Sequence, residues 1–87
     1  MSLDRTVAER RSAEPEGSYT AALLADPAQI GAKVTEEAEE VVRAAAGESD
    51  DRVAEEAADV LYHLTVLLAA RGLSLADAFG VLNERRR

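Results

Sequence analysis

Apolar positions recur along this chain at helical spacing and never in the strict alternation of a strand. Ile30, Val34, Ala38, Val41 and Ala45 fall on one side at a period near 3.6. Val53, Ala57, Val60, Leu61, Leu64, Leu67 and Leu68 form a second such stripe. Punctuation frames both. Asp26-Pro27-Ala28-Gln29 supplies an N-cap acid, a proline at N1 and a glutamine at N3, and predicts a helix running to about Ala46, with Gly47 as its C′ stop. Ser49 to Asp51 caps the next helix, which continues to Arg71 and ends at Gly72. Ser74-Leu75-Ala76-Asp77 opens a last helix through Val81 and Leu82. Upstream, short helices are expected over Leu3 to Arg11 and Tyr19 to Ala25, separated by the turn Glu14-Pro15-Glu16-Gly17, with Ser18 as a cap.

The reading is all-α, a single domain over residues 1–87. A short loop between two long helices makes them antiparallel, and each must bury its apolar stripe. The expected architecture is an antiparallel helical hairpin with short flanking helices. Two hairpins would pair as a four-helix-bundle-like dimer. Composition supports association: the chain is 47% hydrophobic, but 18 of those residues are alanine, so the core is thin. There is no cysteine to reinforce it. No apolar run approaches a membrane span or a secretion signal, so a cytoplasmic location is expected.

Charge changes the picture. The chain carries 17 acids against 10 bases, a net −7, which argues against a nucleic-acid partner. The bias is local: residues 36–59 hold ten acids and two bases, and the remainder of the chain is close to neutral. Projected at 100° per residue, Glu39 and Glu55 point to solvent. Glu37 falls inside the apolar stripe, between Val34 and Val41. Glu40 lies at its edge, and Glu36 and Lys33 follow the same flank. On the second helix Glu56, Asp59 and His63 share one flank, while Tyr62 is expected on the side away from the apolar stripe, available to a dimer partner.

Glu40 and Glu37 lie about 8 and 11 residues before the loop midpoint, and Glu56 and Asp59 about as far after it, so a hairpin brings the pairs to one depth. If they face, four carboxylates converge, and like charges with little water raise one another's pKa. A hard divalent cation relieves this, and an all-oxygen site suits Mg²⁺, with Mn²⁺ as a substitute. A di-iron bundle would need Glu-x-x-His, but Val60 stands three residues before His63.

Glu36-Glu37-Ala38-Glu39-Glu40, followed after 15 residues by Glu56-Ala57-Ala58-Asp59, resembles the EExxE…ExxD signature of the all-α nucleoside-triphosphate pyrophosphohydrolases (MazG-like). SYTAALL at 18–24, KVTEEAEEVVRAA at 33–45 and EAADVLYHLTVLLAARGLSL at 56–75 resemble, more narrowly, the phosphoribosyl-ATP pyrophosphatases of histidine biosynthesis. That resemblance implies hydrolysis of 1-(5-phosphoribosyl)-ATP to 1-(5-phosphoribosyl)-AMP and pyrophosphate. It places Mg²⁺ on Glu37, Glu40, Glu56 and Asp59, and it implies a homodimer. It also implies association with the cyclohydrolase of the next step, whose metal-binding cysteines this chain lacks.

Glu36 and Glu37 are the candidate catalytic residues, Glu36 as the group that orients or deprotonates water. Lys33, Arg10, Arg11, Ser18, Tyr19, Thr20 and His63 are candidates for binding the anionic substrate. Two other readings stay open: a housekeeping dNTP pyrophosphohydrolase of the same superfamily, and a non-catalytic helical module whose acids dock a basic partner.

Overall fold

A computed structural model describes residues 19–85, together with Leu3. The expected first helix, the turn at 14–17, the Ser18 cap and the final two arginines lie outside the described residues. Among the described residues there are four helices and no strand: α1 (Tyr19–Leu24), α2 (Pro27–Gly47), α3 (Asp50–Ala70) and α4 (Leu75–Arg85).

Local chemistry sets the boundaries. Asp26 caps α2, its carboxylate accepting from the Gln29 amide at 3.3 Å, and Pro27 occupies the first turn where no amide is needed. Ser49 caps α3 by accepting from the Arg52 amide. Asp50 and Asp51 in the first turn favour the positive end of its dipole. Ser74 and Asp77 form a reciprocal capping box at the start of α4. Gly72 ends the α3 region as expected: at φ +76° it takes the left-handed conformation that suits glycine. Gly47 does not. It stays helical, and α2 stops through Glu48, whose extended backbone still donates its amide to the Ala44 carbonyl.

α2 and α3 pack as the antiparallel hairpin, and α1 lies across both. Leu23, Ile30 and Val66 are fully buried at the end away from the loop, ringed by Leu24, Val34, Tyr62, Leu67, Ala69 and Ala70. At the loop end, Ala44 is the fully buried contact.

The line buried on α2 is Ile30, Glu37 and Ala44, spaced by sevens, and on α3 it includes Glu56, His63 and Val66. Both helices are therefore rotated from the orientation that the aliphatic stripes alone suggest. Ala38, Ala45 and Leu61 stand exposed. Ala38, Val41, Ala57, Val60 and Leu61 instead line an open apolar groove of about 340 Å³. Tyr62 is corrected in the other direction: it packs against the core, with its hydroxyl hydrogen-bonded to the buried Thr20 hydroxyl. The physical reason is that the seam admits polar groups whose charge is offset nearby, Glu37 by His63 and Glu56 by Arg52.

Candidate active site

Two carboxylates enter the seam from opposite helices. Glu37 of α2 and Glu56 of α3 are each 8% exposed. An ionised carboxylate this far from water must find compensation. Each finds it at one oxygen only. Glu37 Oε1 lies 2.9 Å from His63 Nδ1. Glu56 Oε1 is paired with the Arg52 guanidinium one turn earlier on its own helix. The second oxygens, Glu37 Oε2 and Glu56 Oε2, are buried, and among the described residues neither has a hydrogen-bond partner.

Glu40, half-buried one turn beyond Glu37, stands against Glu56 across the seam. That contact, then burial, then repulsion by the Glu40 charge push the Glu56 carboxyl above its ordinary value, against the lowering pull of Arg52. Arg52 bridges three glutamates, reaching Glu48 at 3.5 Å and Glu55 at 3.1 Å besides Glu56.

The remaining candidates divide by position. The Asp59 side chain is exposed, while its main-chain carbonyl meets His63 Nδ1 at 3.0 Å. Glu36 is exposed, with Lys33 Nζ 4.0 Å from it in a solvent-facing ion pair. Glu39 pairs with Arg43 on the outer face, as its projection requires. Thr20 is buried at the α1–α3 contact. Tyr19 opens α1. Arg10, Arg11 and Ser18 lie outside the described residues. Among the described residues, no three His, Cys, Asp or Glu side chains are already gathered as a metal cage.

The residues present nonetheless suit a hard cation. Two buried, unpartnered carboxylate oxygens on facing helices, with Glu40 against one of them, are oxygen donors of the kind that Mg²⁺ or Mn²⁺ takes.

The family model described as phosphoribosyl-ATP pyrophosphohydrolase matches residues 1–86. The chain belongs to the phosphoribosyl-ATP pyrophosphohydrolase family. Within it, the chain is 48% identical over 84 residues to the phosphoribosyl-ATP pyrophosphatase of Cereibacter sphaeroides (strain KD131), covering 95% of this chain and 82% of that protein. It is 45% identical over 84 residues to the Erythrobacter litoralis phosphoribosyl-ATP pyrophosphatase, covering 95% and 81%. It is also 51% identical over 86 residues to the histidine biosynthesis bifunctional protein of Xylella fastidiosa (strain Temecula1), covering 98% of this chain but 42% of that protein. The chain thus spans about two-fifths of the bifunctional relatives it matches.

Two features of this family member's site escaped the sequence reading. The i, i+3 and i, i+4 spacing of Arg52 to Glu55 and Glu56 was legible as a helical ion-pair pattern. The Glu37–His63 contact had no such signal, because it depends on the register between helices.

Proposed function

We propose that this chain hydrolyses 1-(5-phosphoribosyl)-ATP to 1-(5-phosphoribosyl)-AMP and pyrophosphate in a Mg²⁺-dependent reaction in the cytoplasm. Membership of the family and the names of its single-activity relatives support the substrate. The observation that carries the metal dependence is the pair of buried carboxylate oxygens left without partners on facing helices.

Glu37, Glu40, Glu56 and Asp59 would hold the ion, with Asp59 turning in from the surface. When bound, the ion offsets phosphate charge and acidifies water. Glu36, exposed beside the seam, orients or deprotonates the attacking water. Attack at phosphorus breaks the bridging bond between the α- and β-phosphates and releases pyrophosphate. Lys33, freed from Glu36, offers a cation to the polyphosphate, and Arg10, Arg11, Ser18 and Tyr19 are assigned to the rest of the substrate, whereas the Thr20 hydroxyl is buried and taken by Tyr62. Glu37→Gln and Asp59→Asn should each abolish Mg²⁺-dependent pyrophosphate release, a loss of at least about a hundredfold, with the helical circular dichroism retained. Full activity in either variant would overturn the reading.

A homodimer completes this proposal. The apolar groove on the outer face of the hairpin, with Leu61 48% exposed in its lining, is the surface that a second hairpin would cover. Sedimentation velocity should give a particle of twice the chain mass, and Leu61→Glu should return it to one. The bifunctional relatives support association with a second histidine-biosynthetic activity, for which the cyclohydrolase of the next step is the proposed partner.

A further inference from the structure

His63 is buried to 7% exposure, and its Nδ1 lies between two oxygens: Asp59 O at 3.0 Å on its own helix and Glu37 Oε1 at 2.9 Å on the facing one. A main-chain carbonyl only accepts, so Nδ1 carries the hydrogen; the Asp59 carbonyl takes the hydrogen bond, and Glu37 Oε1 sits within ion-pairing distance of the same nitrogen. The carbonyl contact sets the rotation of the ring about its side-chain bonds. Tyr62 holds it from another side, edge-on at 5.1 Å with the planes 88° apart. Tyr62 is itself fixed through Thr20 of α1. The ring is therefore pinned by a main-chain carbonyl and a neighbouring ring, not by a carboxylate side chain, and its Nδ1 is held beside one oxygen of Glu37. The other oxygen is left buried and bare.

We infer that His63 is a positioning residue: it fixes the Glu37 carboxylate so that Oε2, and not Oε1, is presented to the divalent cation. The inference rests on the metal reading above. Its point is that Glu37 alone cannot hold that orientation. A glutamate side chain has three rotatable bonds, and ordering it on ion binding costs affinity unless a neighbour has already ordered it. Hydrogen-bonded supports of this kind typically carry about 10- to 100-fold in metal affinity.

The test compares three substitutions by Mn²⁺ titration calorimetry, with metal-free thermal melting as the second readout. In His63→Asn the amide nitrogen lies close to the place of the ring Nδ1 and can donate to Glu37. In His63→Leu the volume stays and the donor goes. In His63→Gln the amide is displaced by one bond. Leu should raise the Mn²⁺ dissociation constant about 10- to 100-fold, and Asn should restore it to within about threefold of the parent. The Mg²⁺ concentration giving half-maximal pyrophosphate release should rise in parallel in Leu, with kcat at saturating Mg²⁺ much less affected.

A merely structural histidine would lower the metal-free melting temperature and leave Mn²⁺ affinity unmoved, which would overturn the inference. So would an Asn variant that binds as weakly as Leu. Should Leu fail to fold, Asn binding at least fivefold tighter than Gln supports the inference, and equal binding overturns it. Failure of the parent protein to bind Mn²⁺ would overturn the metal reading itself, an outcome distinct from unchanged affinity in the variants.

Discussion

The two ends of the hairpin solve the burial problem in opposite ways. Away from the loop, Leu23, Ile30 and Val66 close a small apolar cluster whose polar neighbours, Thr20 and Tyr62, satisfy each other. Nearer the loop, the same two helices bury Glu37 and Glu56 and leave one oxygen of each unsatisfied. The first arrangement is complete in the chain by itself. The second leaves two buried oxygens for which no described residue supplies a partner. A 67-residue stretch with so few fully buried large side chains gains little from such a polar seam, so its persistence points to use and not to stability.

Substitution at each end separates the two roles. Ile30→Ala should cost about 2–5 kcal/mol by urea unfolding, because it empties the best-packed position of the apolar end. It should leave intact the gain in stability that saturating Mn²⁺ confers. A smaller effect with the reverse pattern is expected of Glu40→Gln. Removing that charge relieves its repulsion of Glu56, so the metal-free protein should be no less stable. The metal-induced gain, about 2.7 kcal/mol for the parent at a hundred times its dissociation constant, should largely disappear. Equal metal-induced gains in the two variants would erase the distinction between the ends.

The helix boundaries were largely legible in the sequence, since capping residues and helical periodicity are local signals: Asp26, Ser49, Gly72 and the Ser74–Asp77 box all act where they were expected. Glu37 was legible as well, as a charge inside an apolar stripe. What stayed hidden was rotation. Aliphatic residues were assumed to mark the inner faces, yet the helices turn His63 and the glutamates inward, leave Leu61 on the groove and bring Tyr62 to the core. One helix's pattern does not specify how its partner is turned about its own axis. The pairings Glu37–His63 and Glu40–Glu56 are properties of that relation.

The left-handed turn at Gly72 has a mechanical consequence. The chain bends through 100° between α3 and α4, and Leu75 is the one buried residue of the last helix. The eleven residues of α4 make an arm about 16 Å long. A 20° change at its root would carry its far end about 6 Å, taking the exposed Phe79 and Leu82 with it. The last helix is thus an arm that leaves the hairpin at one left-handed glycine, with Leu75 buried at its root and its apolar far end exposed.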